Sequence, residues 1–103
     1  MSRRLLFALA SLATFLFVAA TTLAADDEPT LRMRDHFSKG VAHYDKGEYD
    51  GALSEFREAH QAKPLPQIRS NIALCYRATN RYHKAIDELE AMLQEEGDRS
   101  NRR

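Results

Sequence analysis

Two stretches of this 103-residue chain carry the same pattern of residue classes, one after the other. Gly40 corresponds to Ala73, thirty-three residues later, and Tyr49 corresponds to Tyr82 at the same shift. The further matching pairs are His43 and Tyr76, Gly47 and Asn80, Ala52 and Ala85, Leu53 and Ile86, Glu55 and Glu88, and Phe56 and Leu89. Self-similarity at a fixed period of this length indicates a repeat architecture, in which each unit packs against its neighbour.

Apolar residues in both stretches recur every three or four positions, which is the period of one helical face. The pattern predicts four helices, with Thr30 and Asp50 as caps of the first two and Pro66 in the first turn of the third. The expected bounds are about 31–46, 50–62, 67–79 and 83–96. The predicted fold class is therefore all-α, with two antiparallel helix-turn-helix hairpins stacked as a short α-solenoid.

Small residues stand where two helices of a hairpin must come close together. Gly40 and Ala52 allow a short axial distance between the helices that carry them. Gly47 is expected to end its helix in the left-handed conformation, which has no steric penalty for glycine. Asn80, at the corresponding place in the second unit, is the next most tolerant residue. The turns therefore support the repeat register independently of the apolar pattern.

The pattern resembles the tetratricopeptide repeat, a helical hairpin of about 34 residues. The resemblance covers about residues 31–96, with one repeat at about 33–65 and another at about 66–96. The positions that carry it are Gly40, His43, Tyr44, Gly47-Glu48-Tyr49, Ala52, Phe56, Ala59 and Pro64, then Ala73, Tyr76, Asn80-Arg81-Tyr82, Ala85, Leu89, Met92 and Gly97. Two departures are clear. His36 and Arg69 replace an aromatic residue early in the family's first helix, although Phe37 follows His36, and Met92 replaces a small residue near the end of the second repeat.

The resemblance implies a binding surface formed by the first helix of each hairpin. These helices line a concave groove that takes an extended peptide or a partner helix in proteins of this family. The expected groove residues are Arg34, Phe37, Ser38, Val41, Tyr44 and Asp45 in the first repeat, and Gln67, Ser70, Asn71, Leu74 and Arg77 in the second. The alternative interpretation assigns Phe37 and Val41 to the core. The family's clamp for chaperone carboxyl termini is not matched, since Phe37, Val41 and Asp45 stand at its positions.

The first 24 residues have the three-part pattern of a secretory signal peptide. Arg3 and Arg4 precede an almost wholly apolar run over residues 5–20. In Thr22-Leu23-Ala24, small residues occupy the two positions that signal peptidase recognises. We expect an N-terminal signal helix, cleavage before Ala25 or one residue later, and an acidic lead-in over residues 25–30. The alternative is an uncleaved membrane anchor, although the apolar run is slightly shorter than the ~20 residues that span a bilayer.

The charge balance argues against nucleic acid as a general partner. The chain has 15 basic and 15 acidic residues, and loss of Arg3 and Arg4 with a signal peptide would leave a net charge of −2. A near-neutral chain has no general attraction to a phosphate backbone. The expected location after cleavage is periplasmic or extracellular.

Motifs for catalysis, cofactor binding or metal binding are missing from the sequence. His36, His43, His60 and His83 form no HExxH pair, and Cys75 has no second cysteine with which to complete a zinc site or a disulfide. Cys75 is expected to be a small buried hydrophobe. Five acidic residues of the second and fourth helices could be mistaken for paired catalytic carboxylates but are expected to lie on solvated faces; they are Glu55, Glu58, Asp87, Glu88 and Glu90. We therefore predict no enzyme, no cofactor and no metal.

The end of the chain is expected to leave the last hairpin uncovered. The tail over residues 97–103 is polar and predicted to be disordered, and no further amphipathic helix is expected to cover Ile86, Leu89 and Leu93. These three residues are predicted to mediate a homodimer or a constitutive complex. The leading hypothesis is an exported, non-catalytic module that binds a peptide or protein in the cell envelope. The alternatives are a membrane-tethered scaffold or assembly subunit and, with no motif to support it, a small hydrolase or metal-binding enzyme.

Overall fold

Four helices joined by three-residue turns make up the chain from residue 25 to residue 103, the part that the computed structural model describes. They are α1 (Glu28–Asp45), α2 (Tyr49–Ala62), α3 (Pro66–Ala78) and α4 (Tyr82–Asn101). Each helix packs on the next one in the chain, so that α1 with α2 and α3 with α4 form two stacked hairpins. The all-α prediction is confirmed. The predicted signal helix over residues 1–24 lies outside the described residues.

Helix α1 begins earlier than its predicted cap. Asp27 is the N-cap, and its side chain accepts a hydrogen bond of 3.1 Å from the amide of Thr30. Hydrogen bonding to Thr30 lowers the pKa of Asp27, since the bonds favour the charged carboxylate. Thr30 itself is buried in the first turn, and its hydroxyl accepts a hydrogen bond from Lys63 Nζ at 2.9 Å. The predicted cap at Thr30 was wrong because the acidic lead-in already supplies a stronger one.

The first helix of each hairpin is followed, as predicted, by a residue in the left-handed conformation. Gly47 has φ +78° and Asn80 has φ +60°. Glu48 N–H then donates to the carbonyl of His43 at 2.9 Å, and Arg81 N–H donates to that of Tyr76 at 2.8 Å. These bonds satisfy carbonyls that the ending helix leaves free.

This turn geometry also corrects the start of α2. The residue after the left-handed one is already the N-cap, so Glu48 caps α2 and Asp50, the predicted cap, lies inside the helix. Glu48 and Arg81, the caps of α2 and α4, make no side-chain capping hydrogen bond. The start of α3 agrees with the sequence, since Pro66 occupies its first turn.

Helix α4 continues to Asn101, so the prediction of a disordered tail from residue 97 was wrong. Glycine weakens a helix by about 1 kcal/mol relative to alanine, so Gly97 favours a helix end in the sequence. In the structure Glu95 is held by Arg69 of α3, at 2.8 Å between Nε and Oε1, just before that glycine. Because this turn is anchored, the helix continues past Gly97. Arg99 lies in the last turn, where its positive charge interacts favourably with the negative end of the helix dipole.

The core lies between the hairpins and inside each of them. Its buried apolar members are Ala52, Leu53, Phe56, Ala59, Ile68, Ile72, Ala73, Cys75, Tyr76 and Ala85. Gly40 and Ala52 are both buried, as the predicted close packing requires. The Tyr76 ring joins the two hairpins, since Arg57 of α2 lies 5.7 Å and Arg81 lies 5.1 Å from its centroid.

None of the four helices described has the length and apolar character that a membrane span requires.

Candidate functional site

Most of the predicted groove residues of α1 are accessible to solvent. Arg34, Ser38 and Asp45 are exposed, and Val41 has 38% of its surface exposed. Phe37 and Tyr44 are half-buried and pack against the core; the Phe37 ring centroid lies 5.4 Å from that of Phe56. Phe37 is therefore partly a core residue, as the alternative interpretation expects, whereas Val41 is a surface residue.

The predicted groove residues of α3 are more enclosed than those of α1. Gln67 and Arg77 are exposed, and Ser70, Asn71 and Leu74 are half-buried. Asn71 Nδ2 donates to the carbonyl of Gln67 at 2.8 Å, and the Ser70 hydroxyl donates to the same carbonyl at 2.7 Å. A ligand that took a hydrogen bond from Asn71 would compete with this bond inside the helix.

We call these eleven residues together the helix A face. Val41 and Leu74 occupy equivalent positions of successive repeats on this face, and so do Ser38 and Asn71. An apolar residue and a polar residue thus recur at the same positions of α1 and α3. The role of these residues in binding stays a prediction.

A second accessible apolar surface runs along α4. Ile86, Leu89 and Leu93, the residues predicted to self-associate, are 51%, 40% and 61% exposed. Tyr82 adds to them with 56% of its surface exposed. We call these four residues the α4 stripe. Their spacing of four, three and four residues puts them on one side of the helix.

Tyr82 was not among the predicted members of the α4 stripe. Its equivalent in the first repeat, Tyr49, is half-buried and meets Tyr44 edge-on at 5.1 Å between ring centroids. The residue equivalent to Tyr44 in the second repeat is Arg77. Tyr82 therefore has no aromatic residue at the position where Tyr49 meets Tyr44, and its ring is exposed to solvent. Its hydroxyl donates to Asn80 Oδ1 at 2.9 Å.

A hydrogen bond to a glutamate recurs at the same place in both hairpins and links the two helices of each. His36 Nδ1 lies 2.7 Å from Glu55 Oε2, and Arg69 Nη1 lies 2.8 Å from Glu88 Oε2. His36 and Arg69 are the two residues that stand where the resemblance expects an early aromatic. The two helices of each hairpin are therefore joined at that position by a hydrogen bond to a carboxyl group instead of ring packing.

These contacts correct the prediction of solvated faces for two of the five acidic residues, Glu55 and Glu88. The side chains of Glu55 and Glu88 are only 26% and 22% exposed. Glu58, Asp87 and Glu90 are exposed, as expected. The signal was present in the sequence, because the shift of thirty-three residues pairs His36 with Arg69 and Glu55 with Glu88.

The remaining histidines and the cysteine range from exposed to fully buried. His43 Nδ1 lies 3.0 Å from Glu48 Oε2, and His83 is exposed. His60 is half-buried, and its burial, aided by the positive charge of Arg69, lowers its pKa below 6.5. Cys75 is fully buried, as predicted, and this burial raises the pKa of its thiol to about 11. Within residues 25–103, no three metal-ligating side chains are grouped for a metal ion.

Two stacked helical hairpins whose residue pattern repeats are the architecture of a helical-repeat protein. A family profile described as tetratricopeptide repeat matches residues 19–66 and 37–101. The chain belongs to the tetratricopeptide repeat family, whose repeats generally mediate protein–protein interactions and are typically non-catalytic. The comparison with curated proteins and the comparison with solved structures gave no match.

Proposed function

We propose that this chain is an exported, non-catalytic interaction module that binds a peptide or a partner protein of the cell envelope on the helix A face. The observation that carries the proposal is the repetition of Val41 by Leu74 and of Ser38 by Asn71 at equivalent positions of α1 and α3, where the first member of each pair is exposed and the second is half-buried. Two equivalent sites on successive helices suit a ligand whose own contacts repeat along an extended or helical backbone.

Charged residues border these sites. Arg34 is exposed in α1 and contacts Asp26, whereas Arg77 is exposed in α3. Asp45 adds one negative charge near the end of α1. A ligand with apolar residues for Val41 and Leu74 and an acidic group for Arg77 is the one that this surface fits best.

Export is supported by the sequence of the N-terminus and by the position of the first cap. A cut before Ala25 would keep Asp27, which holds the amide of Thr30, and Asp26, which contacts Arg34. The first turn of α1 would therefore be complete in the processed chain. A cut beyond Asp27 would remove the cap and cost the helix about 0.5–2 kcal/mol.

The location is tested by cell fractionation and by N-terminal sequencing of the native protein. We expect an envelope or extracellular protein that begins at Ala25 or Asp26. A native protein that begins at Met1 or Ser2 would contradict the cleavage, and its recovery with the membrane would favour the tethered scaffold instead.

The binding surface is tested by capture from an envelope extract with the original chain and three variants. Val41→Asp and Arg77→Asp alter exposed positions of the helix A face, whereas Ser54→Asp alters an exposed position of α2 as the matched control. We expect a partner that the original chain and Ser54→Asp retain and that both face variants lose, with helix content unchanged by circular dichroism. A partner retained equally by all forms would contradict the proposed surface.

A further inference from the structure

The α4 stripe is the second copy of a surface that the first hairpin keeps covered. Ile86 and Leu89 correspond to Leu53 and Phe56 of α2, which are buried with α3 packed on α2. The two residues of α4 are exposed, and within residues 25–103 no helix encloses them. The contact between α2 and α3 is therefore a template, within the same chain, for a helix seated on the α4 stripe.

Helix α3 brings apolar residues and one polar group to this contact. Ile68 and Ile72 enter the core, and Tyr76 follows one turn later. The hydroxyl of Tyr76 accepts a hydrogen bond from Arg57 of α2, and the guanidinium carbon of Arg57 lies 5.7 Å from the centroid of the ring. A helix seated in this way meets apolar residues of its neighbour and also the charged residue at their border.

The border of the α4 stripe has the opposite charge. Glu90 is the equivalent of Arg57, and its side chain is exposed. The residues three and four positions from Glu90 are Ile86, Asp87, Leu93 and Gln94. None of them is a cation, so α4 offers Glu90 no partner on its own surface. In the part of the chain that the structure describes, no ion pair includes Glu90.

The cations of α4 lie away from this border. Lys84 Nζ lies 5.8 Å from the centroid of the Tyr76 ring of its own chain. Arg99 is nine residues beyond Glu90, which is more than two helical turns. Asp87, also exposed, adds a second negative charge one turn before Glu90. Two free carboxylates beside an apolar surface favour a partner with a basic residue opposite them.

A second copy of this chain does not supply such a helix. Head-to-tail stacking would bring α1 to α4, and the equivalents of Ile68 and Ile72 in α1 are Asp35 and Lys39, both exposed. Lys39 Nζ lies 3.0 Å from Asp35 Oδ2, and burial of this pair against apolar residues would cost more than the contact returns. Helix α4 of a second copy brings its own glutamate at position 90, which offers no opposite charge.

We propose that the α4 stripe binds one amphipathic helix of another protein, seated on α4 as α3 is seated on α2. This helix carries apolar residues at the places of Ile68 and Ile72, and a lysine or arginine at the place of Tyr76, opposite Glu90. The surface is distinct from the helix A face, so the inference goes beyond the proposed function. Failure of the capture experiment above would leave it standing, and the reverse also holds.

Fluorescence anisotropy with two synthetic peptides tests the charge at the border. Both carry the α3 sequence Pro66–Ala78 with Cys75→Ala, extended by alanines to favour a helix, and they differ by Tyr76→Lys or Tyr76→Glu. We expect the original chain to bind the lysine peptide about two- to fivefold more tightly than the glutamate peptide, as an exposed ion pair allows. Glu90→Lys should reverse this order. Equal affinities for the two peptides, or no binding of either, would overturn the proposal.

Two variants of the chain locate the bound peptide. Leu93→Asp changes the most exposed residue of the α4 stripe and should weaken the lysine peptide roughly tenfold or more. Val41→Asp is the matched control on the helix A face and should leave its affinity unchanged. Loss of binding in Val41→Asp with retention in Leu93→Asp would place the peptide elsewhere and refute the proposal.

Sedimentation equilibrium of the original chain addresses the remaining occupant. We expect the mass of one chain across micromolar concentrations, since the stripe awaits a different protein. A dimer that Leu93→Asp dissociates would show that a second copy covers the stripe, and the proposal would then be wrong.

Discussion

Gly40 of α1 lies directly against the ring of Phe56 in α2. A Cβ atom built on Gly40 would lie 2.6 Å from Cε1 and 2.7 Å from Cδ1 of that ring. Phe56 is 1% exposed and also packs on Phe37, so the ring has little room in which to move. The closest approach of the first two helices therefore depends on the missing side chain at residue 40.

Gly40→Ala should destabilise the fold. Overpacking of a filled core costs about 1–3 kcal/mol, and the better helix propensity of alanine returns roughly 0.5–1 kcal/mol of that. We expect a net loss in the free energy of unfolding, measured by urea denaturation. Gly97→Ala is the matched control, since its Cβ would meet nothing within 4 Å in a helix, and it should gain stability. An unchanged midpoint for Gly40→Ala would contradict the close packing.

Arg69→Met should weaken the second hairpin. The guanidinium of Arg69 holds Glu88 and Glu95, each at 2.8 Å, and its removal leaves two half-buried carboxylates close together without a cation. A loss of about 1–3 kcal/mol in the free energy of unfolding is expected for such a charged hydrogen-bonded site. Arg32→Met, which removes an exposed pair with Glu28, should change the melting temperature little. Equal effects of the two substitutions would contradict the special role of Arg69.

The stability of the fold should fall in mild acid because of His60. Burial lowers the pKa of His60 in the folded chain below its ordinary 6.5, so well above pH 6.5 the side chain is neutral in both states. As the pH falls below 6.5, the unfolded chain binds this proton more readily, and the unfolded state gains until the pH passes the folded pKa. His60→Gln should lose less stability than the original chain between pH 7 and pH 5, since ~6.5 is the ordinary histidine pKa. Identical pH profiles of the two unfolding free energies would contradict this role.

Cys75 should react with thiol reagents only after the chain unfolds. The side chain has no exposed surface, and its thiol has a pKa of about 11, so the reactive thiolate is scarce and shielded in the folded chain. Labelling at neutral pH should be slow without denaturant and fast in urea. A Ser54→Cys variant supplies an exposed internal reference thiol on α2, which should react at once. Rapid labelling of both thiols in the folded variant would contradict the burial of Cys75.

The repeat pattern was sufficient to predict how the hairpins pack. Gly40, Ala52, Ala73 and Ala85 are buried, and Gly47 and Asn80 have positive φ. These positions depend on local sterics, because a helix contact admits only small residues and a left-handed turn admits few residue types. Such requirements are visible in residue type alone. The helix bounds were less predictable. The start of α1 depends on the hydrogen bond from the amide of Thr30 to Asp27, and the continuation of α4 past Gly97 depends on the contact between Arg69 and Glu95.

Within residues 25–103, the number and pairing of the helices follow from the helical period of the apolar residues and from local sterics, so they could be predicted from residue type. Which apolar residues are exposed and which charged residues are paired depends on the packing of the helices. Leu53 and Ile86 have the same place in the repeat, yet one is buried and the other is open to solvent. Glu55 and Glu58 are both acidic residues of α2, yet only Glu55 lies within reach of His36. Burial depends on which helix packs against a side chain, and the residue type alone does not specify that helix.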